Sequence, residues 1–182
     1  FTTSFILNNM LIQPYSSTWI PDFENLKAEL EKGLQSIDYR IEHVGSTAVP
    51  GLAAKAIIDI DIIYAGQEAF ERIKSGLIQI GYYHNGNQGI ADRDVFKRNA
   101  NGSNEILDTI VHHLYVCKLN SPALERHLLF RDYLQKNEEA RNTYQQMKYE
   151  MAEKAGQDKK IYAALKEIHV NPFVDEIMDI MK

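Results

Sequence analysis

Ile57-Ile58-Asp59-Ile60-Asp61-Ile62-Ile63 is the most strand-like run in the chain. Side chains alternate along a strand, so Asp59 and Asp61 share one face and Ile58, Ile60 and Ile62 share the other. The two aspartate Cα atoms then lie about 7 Å apart, and both carboxylates can converge on one divalent cation. Hard oxygen donors of this kind suit Mg²⁺ or Mn²⁺. The competing reading is a half-exposed strand with two solvated acids, because charges on so apolar a strand must reach water or a partner.

Upstream, Gly45-Ser46 closes another predicted strand, Tyr39 to Val44. Glycine lets the backbone approach an anion, and a following helical turn offers free N–H groups at its positive end. Ser46 and Thr47 add hydroxyl donors. A tight turn with a capping serine is the plainer alternative. Lys55 stands just before the acidic strand, placed to neutralise a phosphate or to pair with a strand aspartate. His43 precedes the turn and shares a face with Ile41; it can bind substrate or pair with a backbone carbonyl.

The remaining elements follow from periodicity. Phe5 to Gln13 reads as a short strand or packed arm. Phe23, Leu26, Leu30 and Leu34 lie at helical spacing, giving a helix from Pro21 to about Gln35. A second helix covers Gln67 to Ile80, closed by Gly81. Tyr82-Tyr83 is a candidate edge strand. Val95 to Asn99 and Thr109 to Cys117 read as a hairpin around Asn101-Gly102. Only one of Lys97 and Arg98 can face the site. From Ser121, a cap with Pro122 at the first helical position, the pattern is helical. A break at Asn137 starts a second helix, and a third runs from about Lys159 to Ile168, closed by Pro172 with a last short helix after it. The expected class is α/β: a mixed sheet to about residue 119, then a helical part from about residue 120, in one domain.

Composition limits the functions open to this fold. The 182 residues carry 20 Lys+Arg against 25 Asp+Glu, a net charge of -5. That balance argues against a dedicated nucleic-acid binder, which needs a positive field, though a local basic pocket is allowed. The single cysteine, Cys117, cannot form an internal disulfide and reads as a small core residue of a cytoplasmic protein. Residues 1–21 carry no charge, but their polar residues break any apolar core, so no signal peptide or membrane span is expected.

Strand, Gly-Ser, helical turn, then a strand bearing Asp-x-Asp is the pattern of the nucleotidyltransferase superfamily. The fuller stretch, His43-Val44-Gly45-Ser46-Thr47-Ala48-Val49-Pro50-Gly51-Leu52-Ala53-Ala54-Lys55 with Ile58-Asp59-Ile60, resembles the GrpB-like family. So do Tyr15 to Trp19 with Phe23, Phe130-Arg131-Asp132-Tyr133-Leu134, and the helical pairs Tyr144/Lys148 and Tyr162/Lys166. The resemblance covers nearly the whole chain. It implies a nucleotidyltransferase-like sheet backed by C-terminal helices. It implies that Gly45 and Ser46 hold the phosphates of a nucleoside triphosphate, or of another phosphate-bearing small molecule, while Asp59 and Asp61 hold a divalent metal.

One departure matters. Nucleotidyltransferases usually take a third carboxylate from a later strand, and here that strand offers His112 and His113. A histidine is usual in the family at the His113 position, so His113 is expected beside the aspartates, as a third ligand or a base, with His112 pointing away. A histidine satisfied by hydrogen bonds within the sheet is the alternative. Imidazole cannot replace a carboxylate's charge for Mg²⁺, which makes room for Mn²⁺ or Zn²⁺. Arg131 is the guanidinium chosen for anion contact, against a structural ion pair with a neighbouring acid. Tyr144 and Lys148, one turn apart, are expected to line the cleft from the helical side. The function so implied is metal-dependent transfer of a nucleotidyl or related phosphoryl group to a small acceptor. A non-catalytic nucleotide- or anion-binding module that keeps the fold is the alternative.

Overall fold

The acidic strand lies second in a five-stranded sheet. In the computed structural model, which describes residues 10–35 and 37–182, the sheet is formed by β1 (Arg40–Val44), β2 (Ile58–Tyr64), β3 (Tyr82–His84), β4 (Arg93–Arg98) and β5 (His112–Lys118). The strand order is β1-β2-β5-β4-β3. Only the β2–β5 pair is parallel; the other neighbours run antiparallel. This register sets Val44 and His113 on either side of Asp59, and Glu42 and Tyr115 on either side of Asp61.

One face of the sheet carries the main core. Ile58, Ile60 and Ile62 of β2 pack with Leu26 and Leu30 of α1 (Trp19–Gly33) and with Ile73 and Leu77 of α2 (Gln67–Gln79). Full burial of each such side chain is worth about 1.5–3 kcal/mol, so the face with the isoleucines is fixed and the aspartate face is left for other work. The backbones of α1 and α2 cross closely, because a Cβ on Gly76 would overlap the Gly33 carbonyl.

The helices after residue 120 form a second cluster. They are α4 (Pro122–Lys136), α5 (Glu138–Lys154) and α6 (Lys159–Ile180), preceded in the chain by the short α3 (Glu105–Thr109). Ser121 accepts from the Leu124 N–H and Asn137 from the Ala140 N–H, so both expected helix starts are capped. Leu134, Tyr144, Met151, Tyr162, Val170 and Val174 pack with Val49 and Leu52 from the segment between β1 and β2.

Three sequence expectations are corrected here. The strand predicted from Thr109 starts at His112, because residues 105–109 form α3, capped by Asn104. Pro172 does not end a helix: α6 continues through it to Ile180. A proline inside a helix removes one N–H and crowds the preceding turn; burial of Val174 and Ile177 beyond it offsets that cost. The predicted Phe5 to Gln13 element lies mostly outside the described residues. Its end is held, since Gln13 and Ala54 exchange both backbone hydrogen bonds.

Candidate active site

The aspartate face of β2 opens into a cleft of about 940 Å³. Its floor includes Asp59, His113 and Tyr115. The turn Gly45-Ser46-Thr47 forms part of its wall, and Tyr144, Lys148, Tyr162 and Lys166 close it from the helices. Gly45 has φ 75° and ψ -173°, a region essentially reserved for glycine. A Cβ at Gly45 would overlap the Asp59 carboxylate, with the Asp59 Cγ only 3.1 Å away. The glycine therefore serves a defined purpose: it lets the turn lie directly against the first aspartate. Ser46 begins a one-turn 3-10 helix over Ser46–Ala48.

Asp59 and Asp61 occupy the same face but different environments. Asp59 is partly exposed, and its Oδ1 lies 2.9 Å from His113 Nδ1. A carboxylate only accepts, so Nδ1 carries the proton and Nε2 is left with its lone pair. Asp61 is fully buried and does not line the cleft. Its Oδ2 lies 2.8 Å from Nδ1 of His127, on α4, while Oδ1 has no hydrogen-bond partner. The Cys117 thiol, also buried, is pushed far above its ordinary range, chiefly by burial and then by the negative charge of Asp61. Among the described residues, no later strand brings a third carboxylate to this face; β5 brings His113 and Tyr115.

The opposite wall is cationic and aromatic. Lys148 is only 2% exposed. Its ammonium donates to Ser46 Oγ at 3.0 Å and to the Ala53 carbonyl, and sits 4.6 Å from the Tyr144 ring centroid. Burial, then the charge of Lys166, holds Lys148 well below the usual lysine range. Lys55 stacks over Tyr162 at 4.4 Å, and burial followed by the charges of Lys166 and Lys159 lowers its pKa. An acidic chain thus gathers Lys55, Lys148 and Lys166 at one cleft, where an anion would relieve their mutual repulsion.

The match to protein-family models covers residues 9–179 with the model described as GrpB protein. The chain belongs to the GrpB family. The Bacillus subtilis UPF0157 protein YqkA is 33% identical over 138 residues, covering 76% of this chain and 38% of that relative. The chain thus spans well under half of YqkA. A solved structure of GrpB from Enterococcus faecalis superposes with a TM-score of 0.76 at 27% identity, covering 93% of this chain and 98% of that one. The Cid1 poly(U) polymerase, solved with MgGTP bound, matches with a TM-score of 0.51 at 16% identity over 76% of this chain and 43% of its own. At that identity the likeness is one of fold: this family member has a nucleotidyltransferase-like mixed sheet. No described helix is long and apolar enough to cross a membrane.

The site residues read from the sequence divide into three groups. Asp59, Gly45, Ser46, Thr47, Lys55, His113, Tyr144 and Lys148 all line the one cleft. His112 points away, accepting from Tyr82 Oη and donating to the Ile110 carbonyl. Three residues lie elsewhere. Asp61, expected to share a cation with Asp59, is sealed beneath α4 against His127, so the two carboxylates do not meet in the cleft. Arg131 is tied to Glu42 at 2.8 Å, to Asp132 at 2.8 Å and to the His43 carbonyl, and does not reach the cleft. The acids on β1 and on its own helix hold the guanidinium before any ligand can. His43 sits on the isoleucine face, stacked on Phe23 at 4.6 Å. Thr47 Oγ1 donates to the Ile57 carbonyl and lies 2.9 Å from His43 Nε2, which therefore donates to it. Of Lys97 and Arg98, neither lines the cleft; Arg98 pairs with Asp108, and Arg93 is the cleft residue from β4.

Sequence reasoning passed over His127. Its spacing from Leu124 puts it on the inward face of α4, but the aspartate it meets lies 66 positions earlier in the chain. For a divalent ion on the sheet floor of the cleft, Asp59 and the His113 imidazole are the donors at hand, a mixed oxygen and nitrogen set that fits Mn²⁺ better than Mg²⁺.

Proposed function

We propose that the cleft binds a nucleoside triphosphate, or a related phosphate-bearing small molecule, and transfers a nucleotidyl or phosphoryl group to a small acceptor with a divalent metal. One observation carries the reading: Gly45-Ser46 lies against the Asp59 carboxylate while the Lys148 ammonium meets Ser46 from the other wall. A phosphate at Ser46 has a cation and the start of a helical turn on one side. Asp59 and His113 would hold the metal, with Asp61 adding a second negative charge on the same sheet face. The bound ion would screen the polyphosphate from those charges. With Nδ1 bonded to Asp59, His113 has only Nε2 to offer, so where it does not hold the metal it is the base that would take the acceptor's proton.

The test is calorimetric titration with nucleoside triphosphates in Mn²⁺, paired with pyrophosphate release over a panel of small alcohols, amines and acids. Tight binding with metal-dependent turnover supports transfer. Binding without turnover on any acceptor would favour an anion-binding module, the reading consistent with the missing third carboxylate. No binding, or binding unaltered in Lys148→Met, would reject both.

A further inference from the structure

The geometry points to a second metal site, buried and borderline-soft in character, formed by Asp61, Cys117 and His127. Ligand atoms of the three lie within 4.8 Å of one another, a spread one tetrahedral ion can span. Two of the three are fully buried and His127 is half-buried at the cleft wall. The second, independent observation is Asp61 Oδ1, a carboxylate oxygen at 0% exposure with no hydrogen-bond donor. Native proteins rarely leave such an atom unmatched, and a cation is one of the few partners that would satisfy it.

The donor chemistry selects the ion. A thiolate, an imidazole and a carboxylate are the set used for Zn²⁺ and, in substitution, Co²⁺; they do not suit Mg²⁺. Charge balances as well. The thiol releases its proton to solvent, the imidazole stays neutral, and one thiolate with one carboxylate offsets the two positive charges. The ion could then reside in an interior that would not accept net charge. Three protein donors leave a fourth position for water or a ligand arriving from the His127 side. This site is distinct from the cleft position at Asp59 and His113, and it needs no nucleotide.

Co²⁺ titration of the metal-free full chain, without nucleotide, tests it. Expected is a near-ultraviolet thiolate-to-cobalt band with tetrahedral d–d absorption that saturates at one equivalent and is displaced by Zn²⁺ and not by Mg²⁺, whatever further Co²⁺ the thiolate-free Asp59/His113 position takes up. Cys117→Ser should remove the charge-transfer band. His127→Gln, at a half-buried position on a helix, should weaken binding by about tenfold or more. Asp59→Asn should leave the spectrum intact. A spectrum without the thiolate band, a band that survives Cys117→Ser, or binding lost in Asp59→Asn but kept in His127→Gln would each overturn the assignment. Should Cys117→Ser fail to fold, His127→Gln decides alone. Because the assay holds no nucleotide, its failure leaves the cleft reading untouched, and failure of nucleotide binding leaves this site untouched.

Discussion

Replacing Gly45 with alanine tests the contact on which the cleft is built. The backbone at φ 75° and ψ -173° costs a non-glycine residue about 1–3 kcal/mol. The new Cβ would also meet the Asp59 carboxylate, with Asp59 Cβ at 3.2 Å as well, so the carboxylate must rotate. That rotation breaks its 2.9 Å bond to His113, adding about 0.5–1.5 kcal/mol. The expected total is about 1.5–4.5 kcal/mol. For a chain of this size that lowers Tm by roughly 2–4 °C per kcal/mol. Urea denaturation of a four-member cycle separates the parts: in an Asp59→Ala background the carboxylate contribution disappears, and the backbone strain and the contact with the residue-59 Cβ remain. Nucleotide binding should fall in Gly45→Ala even at temperatures where the protein is fully folded. A stability loss below about 1 kcal/mol, the low end of the strain cost, would refute the reasoning. So would equal losses in both backgrounds, which would mean that the turn does not press on Asp59.

Lys148→Met should cut triphosphate affinity about tenfold or more, since a charged hydrogen bond is worth about 1.5–3 kcal/mol; thermal stability should hold or rise, because a buried ammonium is removed. Arg131→Met should do the opposite, costing about 1.5–3 kcal/mol of stability through its bonds to Glu42, Asp132 and the His43 carbonyl, while calorimetry shows unchanged phosphate binding. Acid should destabilise the fold through His43, whose pKa is lowered from 6.5 to about 4 by burial. The unfolded chain then binds the proton first, so stability is full above pH 6.5 and falls as pH drops toward 4, by roughly 3 kcal/mol in all. Half-buried His112, lowered in the same direction by desolvation, adds to that slope. Urea midpoints from pH 7 to pH 4 measure the effect, and His43→Gln should flatten the profile.

The sequence by itself determined the faces. Period-two alternation put Asp59 and Asp61 on one side of β2, and it separated His113 from His112, because those facts depend only on neighbours along the chain. The Gly-Ser turn, the cap at Ser121 and the helix start at Asn137 were legible for the same reason: turns and caps are local hydrogen-bond problems. Helix ends decided by packing were not legible. Pro172 looked like a stop until Val174 and Ile177 found a core to enter.

Only the tertiary structure decided what each charged group meets. Arg131 and Lys148 both read as substrate-binding residues, yet one is tied up by Glu42 on β1 and the other reaches Ser46 across the cleft. Asp59 and Asp61 are equivalent in the pattern, but one opens to the cleft while the other is sealed beneath His127 and Cys117. The physical reason is common to these cases. Alternation and propensity are set within a few residues, whereas the strength of a charge is set by its desolvation and by partners that arrive from distant parts of the chain.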